Sequence, residues 1–199
     1  MSPVAAATPT PQVVFDALVA SVGRAVVRGE LQVTAIPAPS GLAPYSYAMA
    51  AEVNPARHAD DSDLGTGRLI ILYDPESPEG WGGAVRVICY AQAPLETEIG
   101  LDPFVADVAW SWLIDALAAH GAEYTAASGT ATKVLSTGYG ELAAQGSGAQ
   151  IELRASWTPL DHDLAAHVEG WAELLCMVAG YPPEAEGVAM LSPRRGSRG

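Results

Sequence analysis

Residues 102–121, DPFVADVAWSWLIDALAAHG, constrain the fold most, because they have the period of a helix but too little polar surface for a half-exposed one. At about 100° per residue, Phe104, Val105, Val108, Ala109, Trp112, Leu113 and Ala116 form one apolar arc. Trp110, Ile114 and Leu117 carry the arc round the back, and only Asp107, Ser111 and Asp115 leave a wet stripe. A helix of this kind is expected to be covered from two sides, by its own core and by a second layer or subunit. Trp110, Ile114 and Leu117 are therefore the candidate partner-binding residues, facing a second copy or another protein.

The rest of the chain reads as strands and two further helices. Thr10 can cap a first helix with Pro11 at its opening position; Val14, Leu18, Val22, Ala25 and Val26 recur at helical spacing, and Gly29 is expected to stop it. Alternation then marks strands at Leu31, Val33 and Ala35, and at Tyr45, Tyr47, Met49, Ala51 and Val53, with PAPSGLAP as the break between them. RLIILYD and AVRVICYA, joined by the turn PESPEGWGG, read as a hairpin. EYTAASGTATKVLSTGYG is a long Thr-rich strand, and AQIELRASW turns Ile151, Leu153, Ala155 and Trp157 inward. LAAHVEGWAELLCMVAG is the last helix, with start signals at 159–163 and Gly180 as its stop. Trp112 and Trp171 each stand nine residues before a helix-ending glycine, a faint internal echo.

Strands grouped between helices, without regular βα alternation, predict an α+β fold: a mainly antiparallel sheet of about six strands, order α-ββββ-α-ββ-α, with three helices on one face. One domain is expected over 11–183, with tails at 1–10 and 184–199. At 199 residues and 49% hydrophobic content the chain can bury a core of its own.

The formal charge is −13, and three of the ten basic residues, Arg194, Arg195 and Arg198, sit in the last six positions. The remainder sets seven bases against 23 acids, a body that repels phosphate backbones, so direct nucleic-acid binding is not expected. No apolar run approaches the roughly 20 residues of a membrane span, and the N-terminus lacks the features of a signal peptide, so a cytoplasmic protein is expected. Cys89 and Cys176 lie in apolar runs and read as free, buried thiols.

Motifs for chemistry are sparse. His58, Asp60, Asp61 and Asp63 suggest calcium ligation, but Leu72 occupies the twelfth position from Asp61, where that loop needs a carboxylate; a solvated acidic loop is expected. His162 and His167 are five apart and diverge on a helix, unlike a zinc pair; Asp163 and His167 are spaced to pair, and His167, at the apolar edge beside Trp171 and Leu174, is expected as a packed neutral histidine. No metal ligand, cofactor or catalytic residue is assigned; GTGR and GYGEL match no nucleotide-binding fingerprint, and no GxSxG or SxxK occurs. The strand arginines stand out. Arg86 and Arg154 alternate out of phase with the inward aliphatics, Arg154 beside Glu152 and Ser156, and together they are the candidate ligand-binding residues, an anion site near which a cleft would form. The ordinary alternative is a surface Arg–Glu pair worth under about 1 kcal/mol.

The blocks IPAPSGLAPYSYAMAAEV, GRLIILYDP, VAWSWLIDALAAHGAEYTAASGTATK and IELRASWTP resemble an actinobacterial family of uncharacterised proteins, the domain-of-unknown-function family numbered three thousand, over roughly 13–183. That resemblance implies no catalytic residue. The element order is also similar to secretion-chaperone-like domains, which implies dimerisation and the holding of partner segments, by analogy of fold alone. A non-enzymatic interaction module is the leading expectation, with a small-ligand binder or enzyme using a cleft near Arg86 and Arg154 as the alternative.

Overall fold

The computed structural model describes residues 8–53 and 64–183. Its elements follow the chain as α1 (Pro11–Val22), β1 (Leu31–Ile36), β2 (Tyr45–Val53), β3 (Thr66–Tyr73), β4 (Val85–Leu95), α2 (Thr97–Leu101), α3 (Val105–Ala119), β5 (Tyr124–Thr137), a 3-10 turn (Gly140–Gln145), β6 (Ser147–Pro159) and α4 (Ala165–Val178). The six strands form one antiparallel sheet in the order β1-β2-β3-β4-β6-β5. The fold is α+β, and α2 is a single short turn leading into α3.

Alternation explains which face the helices cover. Met49, Ala51, Leu69, Ile71, Val87, Cys89, Ala91, Ile151, Leu153, Ala155 and Trp157 are all buried, and they lie on one side of the pleat. Strands β4 and β5 run the same way with β6 between them, so the α2–α3 connection crosses that side and β6 returns through a hairpin into the open slot. At the far end, Phe15 of α1 meets Tyr45 and Tyr73 with ring centroids 5.4 and 6.3 Å apart.

Helix α4 is the centre of the helical layer. Ten of its residues are buried, including Trp171, Leu174 and Leu175 at 0% exposure. The helix covered almost all round is thus α4 rather than α3. Glu169 and Glu173 look like a wet face in sequence, yet the segment after α1 lies along them: Arg28 pairs with Glu173 at 3.3 Å, and Val26 N donates to Glu169 at 2.8 Å. Gly23 ends α1, six residues before the expected stop. A helical glycine costs about 1 kcal/mol relative to alanine, and breaking there frees residues 24–28 to run beside α4. Ser21 is buried and accepts the Leu164 N–H at 2.9 Å, satisfying a donor at the start of α4.

Two glycines act as sockets. A Cβ on Gly67 would lie 2.5 Å from Leu175 Cδ2, and one on Gly170 would lie 3.0 Å from Leu117 Cα. The first lets α4 seat on β3; the second lets α3 and α4 touch backbone to backbone. Gly121 and Gly180, at φ 71° and 87°, take the left-handed conformation that ends α3 and α4. No helix among the described residues is long and apolar enough to cross a membrane.

Candidate functional site

The face of the sheet opposite the helices carries the polar chemistry. Register lines up three rows across β2, β3, β4 and β6: Ala48, Ile70, Ile88 and Ser156; then Ala50, Arg68, Tyr90 and Arg154; then Glu52, Thr66, Gln92 and Glu152. A cleft of about 600 Å3 lies over the middle of these rows, with Ala50, Ile70, Ile88, Arg68, Tyr90 and Arg154 among its lining.

Arg86 and Arg154 both belong to this face, and their environments are opposite. Arg154 is exposed, pairs with Glu152 at 2.8 Å and lies 5.7 Å from the centroid of the Tyr90 ring. Glu152 also accepts the single Tyr90 hydroxyl proton at 3.0 Å, with Gln92 in close contact with the same hydroxyl oxygen. Burial first, then Glu152, pushes the Tyr90 phenol above its ordinary pKa, while Arg154 and Arg68 pull it back. It therefore works as a neutral donor.

Arg86 is 8% exposed and makes none of the ion pairs among the described residues. Its Nη1 donates to Ala126 O at 2.9 Å and Thr158 Oγ1 at 3.1 Å; its Nη2 donates to Ser156 Oγ at 2.7 Å. Burial lowers its pKa, though a guanidinium stays charged in proteins. The acceptors explain the position: Ala126, at φ 51°, sits in a bulge between Thr125 and Ser128 where β5 slips register against β6. Arg86 holds that bulge closed from two strands away. The ordinary alternative, an exposed Arg–Glu pair, describes Arg154 with Glu152 but not Arg86, because Thr158, bonded to Trp81 O, and the bulge wall Arg86 off from solvent.

The three candidate partner residues are divided by the fold. Leu117 is fully buried against Gly170 of α4 in the same chain. Trp110 is half-buried over Gly129 of β5, where a Cβ would meet its ring at 2.7 Å, and Ile114 is half-buried. The exposed large apolar residues of α3 are instead Phe104, at its cap, and Val108, in its first turn, at 66% and 39%. Helix α3 covers the margin of the sheet, where β5 is the last strand, so the start of its apolar arc overhangs.

Strand β5 is itself unusual. It has 14 residues, lies at the edge, and is half-buried only at Tyr124, Ala131 and Lys133. From Ser128 to Thr137 it pairs with β6 without interruption. Its other edge meets no strand among the described residues.

His167 is buried, and its Nδ1 accepts from Trp157 Nε1 at 3.0 Å, which leaves the proton on Nε2. Burial lowers its pKa, against the pull of Asp161 and Asp163. Asp163 does not bond to it; that carboxylate pairs with Arg24 at 3.0 Å and accepts the Ala165 N–H. Cys89 and Cys176 are free and buried, and burial pushes the Cys89 thiol up to about 12. No three metal-ligating side chains gather among the described residues, and His58, Asp60, Asp61 and Asp63 lie outside them. Neither Arg68 nor Tyr90 stands out as a site residue in the sequence. The signal was present, since Arg68 and Ile70 alternate with the buried Leu69 and Ile71, but only cross-strand register shows that Arg68, Tyr90 and Arg154 share a row.

Residues 10–189 match the model of a family described as "Protein of unknown function (DUF3000)". No curated protein and no solved structure matches the chain.

Proposed function

Given that the chain belongs to a family described as of unknown function, we propose, from its geometry alone, a non-catalytic interaction module that self-associates through the free edge of β5. The observation that supports this is the edge strand itself. A long row of unpaired backbone groups is a template for another strand, and proteins usually blunt it with charge, proline or brevity. β1, the opposite edge, is blunted by its six residues. β5 has no proline and a single charge, Lys133, whose Nζ is drawn back to Asp102 O at 2.8 Å.

A second copy is the occupant that fits. Two antiparallel β5 strands related by a two-fold axis are self-complementary by symmetry. The chain carries −13 overall, so copies repel unless they meet on a surface without acids, and β5 has none. Asp102 and Trp110 both reach β5, at Lys133 and Gly129, so exposed Phe104 and Val108 lie on the stretch of α3 between those contacts and would add apolar area beside the joined strands.

Sedimentation of the full chain tests the reading. The wild type is expected as a dimer of the 20.6 kDa chain, and Thr132→Lys with Val134→Lys as a monomer. Thr132 faces Glu152 within its own chain, so the new charge is tolerated in the fold and opposed only across the two-fold. A wild type that stays monomeric, or a double variant that dimerises equally well, would overturn it; a heterologous partner bound at β5 in place of a second copy would also replace self-association.

A further inference from the structure

The open face of the sheet carries an apolar patch: Ala48 and Leu72 are buried there, and beside them Ile70 and Ile88 are half-buried. Ile70 and Ile88 stand side by side on the solvent side and form an apolar floor to the cleft, where strand alternation calls for polar groups. Immediately beside them runs the row Arg68, Tyr90, Arg154.

The two arginines in that row differ in what they have left to give. Arg154 is bound to Glu152 at 2.8 Å and lies over the Tyr90 ring, 5.7 Å from its centroid. Glu152 is used on both oxygens, Oε1 by Arg154 and Oε2 by the Tyr90 hydroxyl. Arg68 is exposed on the cleft and takes part in none of the ion pairs or side-chain hydrogen bonds among the described residues. In a chain with 23 acidic residues and ten basic ones, a cation left without a carboxylate beside an apolar floor is the unusual arrangement. Glu52, one row away, is also on the cleft and disfavours a second negative charge.

We infer that this cleft binds a small amphiphilic anion, a carboxylate or phosphate group on an apolar body. The oxyanion meets the guanidinium of Arg68, whose planar fork suits it. The apolar body lies on Ile70 and Ile88, with the Tyr90 ring as a wall. This site is on the opposite face from α3 and does not depend on how β5 is used.

Two fluorescent probes of similar shape separate the charge from the floor: anilinonaphthalene sulfonate, which carries an anion, and neutral phenylnaphthylamine. The folded wild type is expected to bind the sulfonate at one saturable site. Arg68→Gln should weaken it about tenfold, the scale of a charge-assisted hydrogen bond, and leave the neutral probe within about twofold. Ile88→Asn should weaken both, with circular dichroism confirming the fold of each variant. Displacement of the sulfonate by decanoate or by decyl phosphate supports the site, and the stronger competitor identifies the head group. Failure of both competitors, absence of saturable binding, or equal sulfonate affinity in wild type and Arg68→Gln overturns the inference.

Discussion

Replacing Gly170 by alanine sets two known effects against each other. In an isolated helix the change favours α4 by about 0.8–1 kcal/mol, because glycine loses more backbone freedom on folding. Within this fold the new Cβ would lie 2.9 Å from Leu117 Cδ2, 3.0 Å from Leu117 Cα and 3.2 Å from Leu117 N. Two of those three atoms are backbone, so no rotamer change of Leu117 relieves them. Carbon pairs are comfortable at about 3.5–4.0 Å, so α3 and α4 must separate by roughly half an ångström or more. Overpacking costs about 1–3 kcal/mol; a clash with backbone that no rotamer relieves falls in the upper part, about 2–3 kcal/mol, and less the helix gain of about 0.8–1 kcal/mol the net loss is about 1–2 kcal/mol. For a chain of this size that lowers the Tm by roughly 2–8 °C. Gly29→Ala is the matched comparison: a Cβ there meets nothing within 4 Å, so the same substitution should be neutral or raise the Tm slightly. Thermal unfolding of both variants followed by circular dichroism reads the difference. If Gly170→Ala melts at or above the wild type, the backbone contact between α3 and α4 is not as close as described and the reasoning fails.

Two further outcomes follow from buried polar groups. His167 has a folded pKa below its ordinary value, so above about pH 6.5 neither state holds its proton, and below that the unfolded chain protonates first. Its contribution to stability is therefore complete above about pH 6.5 and is lost as pH falls toward the folded pKa. His167→Gln, which keeps an acceptor for Trp157, should show a smaller drop between pH 7.5 and 5.5 in urea unfolding than the wild type; an equal drop would remove His167 from the account. Arg86→Met should cost about 2–3 kcal/mol by removing the guanidinium's hydrogen bonds to Ala126 O, Thr158 Oγ1 and Ser156 Oγ, whereas Arg154→Gln, which breaks an exposed pair, should cost under about 1 kcal/mol. Equal losses in denaturant titrations would contradict the contrast drawn between the two.

The sheet was legible because period-two alternation reports directly on which side of a strand is covered, and the inward set from Ile151 to Trp157 is what the structure buries. Helical burial was harder to read, since it depends on what else reaches the helix. Phe104 and Val108 have the composition of a core but overhang the sheet margin, while Glu173 looks solvated but is enclosed by Arg28; His167, at the apolar edge of its helix, is packed as its position suggests. Arg28 is ten residues beyond Leu18 and 145 before Glu173, and no local pattern reports such a pairing. Arg86 shows the same limit. Its face was readable from alternation, its burial was not, because Trp81, Thr158 and the β5 bulge arrive from three separate parts of the chain.

The place of α4 in the chain bears on how the molecule can be made. β1 to β4 form a meander in chain order, whereas β5 reaches the sheet only through β6, and the helix that seals the shared face follows both. During synthesis Met49, Leu69, Ile71 and Cys89 would therefore wait beside a growing sheet with no lid until Trp171 and Leu175 have cleared the ribosome. Folding can begin early from the amino-terminal strands, but it cannot lock until α4 has emerged, so a nascent molecule passes through a long interval with its most adhesive surface uncovered.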